Sequence, residues 1–329
     1  MQLPTKKRLM IFSGTAHRPL AEEVTKHLGM KLGHAEIATF ANSETYIRFS
    51  ESVRGCDAFV IQSMSSPVDH HLMQQLIMVD ALKRASAKRI TAVCPFYPYA
   101  RQDKKTLGRE PITAKLVADL YEAAGVDRVI SVDLHTGQIQ GFFDVPFDHL
   151  TALPLLTEYF ADILEEDFMV VSPDVGRVRL AVKWIQHFNE FHDLNGQVAF
   201  LHKSRARETR NVSETRTVVG DVDGRVCVVV DDMIDTAGTL VNGAEALVDA
   251  GASAVYAAAT HCVLSDPAVD RIKNSPIKQV VTTNTLPIPS EKQMDKLVVL
   301  SIAPIIAQTI KAVFEEGSVS ELFHGENQP

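Results

Sequence analysis

The chain has 329 residues and a mass of 36.2 kDa, more than one hydrophobic core usually organises, so two domains of roughly 150 residues each are expected. Its 46% hydrophobic and 22% charged residues, with a mean hydropathy of +0.01, indicate a globular protein and exclude a mainly disordered one. The net charge of −8 argues against a protein that coats nucleic acid or an anionic membrane.

Predicted strands and helices alternate along the chain, which is typical of a parallel α/β sheet. In the first half, strands are predicted at residues 8–12, 57–62, 90–93 and 129–132, and helices at 19–28, 70–85 and 113–124. In the second half, strands are predicted at 169–171, 198–201, 226–230, 254–259 and 280–283, and helices at 177–191, 239–250 and 303–314. Two consecutive series of similar size indicate a duplicated architecture.

Two long segments, residues 95–111 and 202–223, show no clear periodicity and are predicted as loops. Both are rich in arginine and lysine although the whole chain is acidic. Long loops in compact domains often have a functional role. Because these two are basic, we expect them to contact an anionic substrate.

The cysteines and the hydropathy profile bear on the location of the protein. Four cysteines are scattered without a C-x-x-C pair, which argues against a disulfide framework or a zinc site and favours a reducing cytoplasm. The first residues lack the apolar core of a signal peptide, and no apolar run of about 18 residues follows. We therefore expect a cytoplasmic protein without a membrane partner.

The segment VVVDDMIDTAGTL, residues 228–240, contains the most informative candidate binding residues. A buried strand leads to Asp231 and Asp232, and open α/β sheets bind ligands at the carboxyl ends of their strands. The loop 235–239 then opens a helix whose N–H groups can approach a phosphate, with Thr236 and Thr239 as hydroxyl donors. Because paired acids suit adjacent ribose hydroxyls, the segment predicts a sugar-phosphate site. The alternative is an aspartate N-cap on an ordinary helix.

This segment resembles the phosphoribosyl diphosphate loop of type I phosphoribosyltransferases and ribose-phosphate diphosphokinases (PRPP synthetases). Other segments are similar to the diphosphokinases alone: PYARQDKK (98–105), REPITAKL (109–116), VDLHTGQIQGFFD (132–144), VVSPDVG (170–176) and VLSIAPIIAQTIKAVFEEGSVSELF (299–323). The resemblance covers residues 7–323. It implies two similar phosphoribosyltransferase-like domains, each a mainly parallel sheet flanked by helices. The first spans 1–149 and is joined by the C-terminal helix at about 304–329, and the second spans 150–303.

The resemblance also implies a reaction. Members of this family transfer the diphosphate group of MgATP to the 1-hydroxyl of ribose 5-phosphate, forming PRPP and AMP for nucleotide biosynthesis. On this basis Asp231 and Asp232 bind the ribose hydroxyls, and the 5-phosphate is bound by Asp235, Thr236, Ala237, Gly238 and Thr239. His135 and Asp174 match the ligands of Mg²⁺, and Lys203 and Arg205 match the catalytic basic pair of a flexible loop.

Further positions match the family's nucleotide and regulatory sites. Arg101 and Gln102 match ATP contacts, and Phe40, Asn42, Ser43 and Glu44 lie in a loop that reaches the ATP of a neighbouring subunit in this family. The positions that match a regulatory site for phosphate and ADP are Ser52, Arg54, Arg109, Gln140, Asp148, Ser318, Ser320 and Phe323. The resemblance therefore implies a homo-oligomer, with a hexamer built from dimers expected.

The chain departs from the family at several positions. The family usually reads D-G-E at 42–44, an acidic residue at His202, an arginine at Ser204 and a glycine at Arg177. These departures motivate a second hypothesis, a non-catalytic homologue of the PRPP synthetase-associated type that assembles with an active enzyme. A third, a phosphoribosyltransferase that consumes PRPP, leaves the ATP motifs without a purpose. The diphosphokinase ranks first because the residues assigned to metal and phosphate are retained.

Overall fold

The computed structural model describes residues 7–165, 167–204, 215–323 and 325, with the side chains of 203, 204, 215 and 216 left aside. The chain forms two compact units. Unit 1 comprises Met1–Thr151, Thr285–Pro287 and Ser301–Pro329, and unit 2 comprises Ala152–Asn284 and Ile288–Leu300. In the part of the chain that is described, no helix is long and apolar enough to span a membrane.

Unit 1 is built on a parallel sheet whose strands are apolar runs flanked by helices. Its elements are β1 (Leu9–Ser13), α1 (Arg18–His27), β2 (Ala35–Thr39), β3 (Thr45–Phe49), β4 (Asp57–Ile61), α2 (Val68–Arg84), β5 (Arg89–Cys94), α3 (Thr113–Ala124), β6 (Arg128–Val132) and β7 (Phe147–Leu150). The sheet order is β1-β4-β5-β6-β7, and β2 and β3 form a separate antiparallel hairpin. Every residue of β4 is buried, as expected of a central parallel strand covered on both faces.

Unit 2 contains a larger sheet. Its elements are α4 (Leu153–Ala161), β8 (Phe168–Ser172), α5 (Val178–Phe191), β9 (Gln197–Ser204), β10 (Thr215–Val219), β11 (Val226–Ile234), α6 (Gly238–Asp249), β12 (Ala254–Cys262), α7 (Ala268–Lys273), β13 (Val280–Thr283) and β14 (Leu297–Leu300). The order is β10-β9-β8-β11-β12-β13-β14, parallel except for β10. Helix α8 (Ala303–Glu315) follows and packs on α1 within unit 1.

The predicted fold class is confirmed, since each unit has a mainly parallel sheet flanked by helices. Helix α3 begins and ends where the sequence predicted, because Gly125 at φ +103° closes it in the left-handed conformation that favours glycine. The prediction of a loop over residues 202–223 was partly wrong. The end of β9 and all of β10 lie there, because pairing between two chain segments stabilises strands whose own sequence is polar.

Several shorter elements were not predicted from the sequence. They are the hairpin β2–β3, strands β7, β10 and β14, and helices α4 and α7. The hairpin strands AEIAT and TYIRF alternate between more and less exposed residues, a signal of period 2 that a search for continuous apolar runs does not detect. Helix α4 carries Pro154 in its first turn, which is a start signal for a helix.

Candidate active site

The two predicted ribose-binding acids of unit 2 lie inside strand β11. The sequence predicted a strand that ends at residue 230, but β11 continues to Ile234 because β12 remains paired with it beyond Asp231, as far as Cys262. Asp231 is half-buried, and Asp232 is only 6% exposed. Both acids therefore belong to the last part of strand β11 and not to the loop after it.

Arg177 forms ion pairs with both acids. Its Nη2 lies 2.8 Å from Oδ1 of Asp232, and its Nε lies 3.5 Å from Oδ1 of Asp231. The backbone N–H of Asp232 also donates to Oδ1 of Asp231 at 2.9 Å. Burial raises the pKa of Asp231 well above its ordinary value, the adjacent Asp232 raises it further, and Arg177 opposes the shift. The sequence analysis noted Arg177 only as a departure from the family pattern.

The predicted phosphate loop follows β11 directly. Helix α6 begins at Gly238, and its N-cap is Ala237, which has φ +58° and a methyl side chain that accepts no hydrogen bond. The alternative of an aspartate N-cap on α6 is therefore wrong. Thr236 and Thr239 are exposed at this helix end, and the carbonyl of Thr236 accepts a hydrogen bond from Nη1 of Arg271 at 2.9 Å. The segment presents backbone N–H groups and hydroxyls at the positive end of a helix dipole.

The predicted metal ligand Asp174 is oriented by the turn that follows β8. Its Oδ1 accepts a hydrogen bond of 3.1 Å from the backbone N–H of Arg177, and its carbonyl accepts one of 2.6 Å from the hydroxyl of Ser172. Arg177 thus contacts Asp174 through its backbone and the acid pair of β11 through its side chain. Three predicted site residues of unit 2 meet at one residue that sequence analysis had not assigned to the site.

The predicted catalytic pair is only partly covered by the structure. Lys203 lies in β9, where its backbone is paired with Arg216 of β10, and its side chain is not described. Arg205 lies outside the described residues. Both roles stay predictions.

His135 in unit 1 lies on the segment that follows β6. The neighbouring backbone N–H of Leu134 donates to Nε2 of His149 at 3.0 Å, and the N–H of Asp133 donates to the carbonyl of Leu150 at 2.9 Å. His149 is buried in β7 and was not singled out by the sequence analysis, because β7 was not predicted. These bonds fasten the backbone beside His135 to the last strand of the sheet.

Arg101 and Gln102 lie in the segment between β5 and α3. Oε1 of Gln102 accepts a hydrogen bond of 2.5 Å from the Thr113 hydroxyl, which begins α3. The next residue, Asp103, is 6% exposed and accepts hydrogen bonds of 2.9 Å from both Thr136 and Gln138. Asp103 therefore connects the predicted ATP-binding segment to the predicted metal-binding segment within unit 1. An acid between the basic residues Arg101 and Lys104 was the signal that could have identified it.

The predicted inter-subunit loop is the tip of the hairpin β2–β3. Phe40 is 56% exposed there, and its ring lies edge-on to Tyr46 at 5.9 Å between centroids. Oδ1 of Asn42 accepts a hydrogen bond of 3.2 Å from the backbone N–H of Glu44. Ser43 has φ +72°, so the glycine usual in the family falls at a left-handed position, which a serine adopts less readily.

The predicted regulatory residues belong to unit 1 and contact various neighbours. Arg54 donates to Ser86 at 3.4 Å, and Asp148 is paired with Arg128 at 2.5 Å. The remaining positions have these surroundings: Ser52 accepts from Arg8 through its carbonyl, Gln140 donates to Gly137, Arg109 has φ +70°, Ser318 accepts from the N–H of Glu321, Ser320 begins a 3₁₀ turn and Phe323 is buried. The regulatory role stays a prediction.

The predicted metal ligands belong to different units, His135 to unit 1 and Asp174 to unit 2. Over residues 7–165, 167–204 and 215–323, no three His, Cys, Asp or Glu side chains group into a metal site. A single carboxylate such as that of Asp174 is a ligand type that Mg²⁺ accepts, because this ion keeps several waters and takes further oxygens from substrate phosphates. The roles of His135 and Asp174 as ligands stay predictions.

Known proteins resemble the chain over nearly its whole length. A family model for the N-terminal domain of ribose phosphate pyrophosphokinase matches residues 9–125, and one for a phosphoribosyl synthetase-associated domain matches 203–324. The chain is 56% identical over 324 residues to a ribose-phosphate pyrophosphokinase of Mycobacterium leprae, covering 98% of this chain and 97% of that one. A relative of the same name from Streptomyces coelicolor is 54% identical over 319 residues, with 97% of each chain covered.

A solved structure extends the similarity to three dimensions. The crystal structure of phosphoribosylpyrophosphate synthetase from Mycobacterium smegmatis is 54% identical, and the two superpose with a TM-score of 0.87 over 94% of this chain and 100% of that one. The fold of the two units and this structural match define a protein of the phosphoribosyltransferase-like α/β class. More narrowly, the chain belongs to the ribose-phosphate pyrophosphokinase family, as its sequence motifs predicted.

Proposed function

We propose that the chain is a Mg²⁺-dependent ribose-phosphate diphosphokinase. The 1-hydroxyl oxygen of ribose 5-phosphate attacks the β-phosphorus of ATP, the bond from that phosphorus to the oxygen bridging to the α-phosphate breaks, and AMP leaves. The hydroxyl proton is released, and the products are PRPP and AMP. The observation that carries this proposal is the arrangement of β11 and α6. Two acids in β11 are followed by the N-terminus of α6, and the N-cap residue, an alanine, makes no side-chain hydrogen bond to the N–H groups there.

Each group of this segment has a distinct role in binding ribose 5-phosphate. Asp231 and Asp232 accept hydrogen bonds from the adjacent ribose hydroxyls, because carboxylates are acceptors only. The N–H groups at the start of α6, with Thr236 and Thr239, bind the 5-phosphate. Binding the sugar at both ends fixes the 1-hydroxyl relative to ATP, and such alignment is a major source of rate in phosphoryl transfer.

The remaining roles concern the transferring diphosphate. Lys203 and Arg205 offset the negative charge that develops in the transition state. Mg²⁺, when bound, neutralises charge on the phosphates of ATP, and His135 and Asp174 are the residues that would hold it. Arg101 and Gln102 bind ATP, on a segment that Asp103 fixes to the neighbourhood of His135.

The proposal extends to assembly and regulation. Phe40, with Asn42, Ser43 and Glu44, forms an exposed hairpin tip that suits contact with the ATP of a neighbouring subunit, which supports a homo-oligomer and the proposed hexamer. Phosphate and ADP act as effectors at the set of positions that includes Asp148 and Phe323. We place its activity in the cytoplasm, a location that the four free cysteines support because reducing compartments keep thiols unpaired. The domain boundaries 1–149 with 304–329, and 150–303, belong to the same proposal.

The experiment follows both products of the purified protein. ATP, ribose 5-phosphate, Mg²⁺ and phosphate are supplied, and AMP and PRPP are measured by chromatography. Equal amounts of the two products are expected. Asp232→Asn should abolish PRPP formation at moderate ribose 5-phosphate, whereas Asp249→Asn, an exposed acid at the end of α6, should leave it unchanged.

The same experiment tests the non-catalytic hypothesis. A folded protein that binds ATP yet forms neither AMP nor PRPP would overturn the diphosphokinase and favour a regulatory homologue. The comparisons do not favour that outcome, because relatives 54–56% identical over nearly the whole chain are named ribose-phosphate pyrophosphokinases.

A further inference from the structure

Arg177 contacts both the Asp231–Asp232 pair and Asp174 in unit 2. Its guanidinium pairs with Asp232 at 2.8 Å and with Asp231 at 3.5 Å, while its backbone N–H donates to Asp174 at 3.1 Å. The residue lies at the end of the turn Val175–Arg177, directly before α5, so the turn geometry carries the side chain toward β11. The strands on either side of this contact, β8 and β11, are neighbours in the sheet.

Ion pairing with Arg177 is compatible with ribose binding on the same carboxylates. The contacts of the guanidinium are to Oδ1 of Asp232 and Oδ1 of Asp231. An ionised carboxylate offers about four acceptor sites, and a planar guanidinium engages two acceptors at once. One arginine can therefore hold two acids that also accept hydrogen bonds from ribose hydroxyls.

The guanidinium of Arg177 reduces electrostatic repulsion at the acid pair. Two adjacent carboxylates repel each other and also repel the phosphate of an incoming sugar phosphate. The side chains of Asp232 and Arg177 are 7% and 22% exposed, so water screens this repulsion only in part. The guanidinium offsets one of the two negative charges beside the position where the sugar would bind.

We propose that Arg177 is a positioning residue for ribose 5-phosphate, which holds the Asp231–Asp232 pair in a fixed geometry and reduces its repulsion of the substrate phosphate. This inference rests on the proposed function of that pair.

The test compares three variants by steady-state kinetics. Arg177→Gly should raise the KM for ribose 5-phosphate about tenfold, the size of one charge-assisted hydrogen bond, and leave kcat and the KM for ATP within about twofold. Arg177→Lys restores the charge without the planar fork, so its KM should rise only about threefold. Arg179→Gln, which removes an exposed arginine from α5, is the matched control and should change neither constant.

The outcomes separate the inference from the proposed function. An unchanged or lower KM for ribose 5-phosphate in Arg177→Gly overturns the role of Arg177 while PRPP formation by the unmodified protein stands. Should Arg177→Gly fail to fold, Arg177→Lys decides alone, and an unchanged KM overturns the inference. If the unmodified protein forms no PRPP, the proposed function fails. Calorimetric titration with ribose 5-phosphate then decides on Arg177, since equal affinity of the unmodified and Arg177→Gly proteins contradicts its role.

Discussion

Arg271 on α7 donates from Nη1 to the backbone carbonyl of Thr236 at 2.9 Å, so the loop predicted to bind the 5-phosphate is bonded to a helix that the sequence analysis missed. The same nitrogen lies 3.2 Å from the position that a Cβ on Gly238 would take, so the guanidinium lies against the start of α6. A cation at this place braces the loop and adds positive potential to the helix N-terminus.

Removing this brace should weaken ribose 5-phosphate binding. Arg271→Ala is expected to raise the KM for ribose 5-phosphate about fivefold, equivalent to about 1 kcal/mol, the usual net value of one hydrogen bond. The measurement is initial-rate kinetics with ATP held at saturation. Lys273→Ala, an exposed cation on the same helix, is the control, and equal effects of the two variants would contradict the bracing role.

Lys203→Ala should affect turnover rather than binding. A cation that acts on the developing charge of the transferring diphosphate stabilises the transition state more than the ground state, so kcat should fall about 10²–10³-fold. The KM for ribose 5-phosphate should stay within a few-fold. Quenched-flow measurement of AMP separates the two, with Lys278→Ala as an exposed control. Loss of sugar binding with turnover retained at saturation would show that the assigned role is wrong.

The acid pair should cost the folded protein stability at neutral pH. Burial and the adjacent Asp232 raise the pKa of Asp231 in the folded state, so ionising it costs more free energy there than in the unfolded chain. The stability contributed by the protonated carboxyl is complete below about pH 4, near the unfolded-state pKa, and is lost as the pH rises through the folded-state pKa.

Asp231→Asn removes this ionisation, so the variant should melt at a higher temperature than the unmodified protein at pH 8. The difference should shrink toward pH 4, and each 1 kcal/mol corresponds to about 2–4 °C in a domain of this size. Thermal unfolding followed by circular dichroism across this pH range provides the check. Ribose 5-phosphate binding should be lost in the same variant. A lower melting temperature at pH 8 would contradict the raised pKa.

In unit 1 an ion pair with a buried acid joins the first residues of β4 and β5. Asp57 is 3% exposed and is bound by Arg89 through two bonds, of 3.0 and 2.5 Å, at paired positions of β4 and β5. Asp57→Ala leaves the guanidinium without this partner and should lower the free energy of unfolding by about 2 kcal/mol. The exposed pair of Arg84 and Asp80 offers the control: Asp80→Ala should cost less than about 0.5 kcal/mol. Urea unfolding measures both, and equal losses would show that burial is not decisive here.

The sequence carried the information for the fold class and for the chemistry of contiguous segments. Apolar runs and helical spacing are local properties, so most strands of both sheets and helices such as α3 were predicted close to their observed bounds. Residues 228–240 likewise contain the acids, the loop and the helix start in one stretch of chain, and that stretch alone predicted a sugar-phosphate site. Strands such as β10 depend on pairing with another segment, and local periodicity did not detect them.

Contacts between distant segments were decided only by the tertiary structure. Arg177 meets Asp232 because β8 lies beside β11, Asp103 meets Thr136 because β5 lies beside β6, and Arg271 meets Thr236 because α7 packs on α6. Strand order within a parallel sheet is set by the packing of many side chains at once, and no single segment encodes it. Residue types and spacing therefore predicted the groups that are proposed to bind the substrate, whereas the order of the strands determined which distant residues contact those groups.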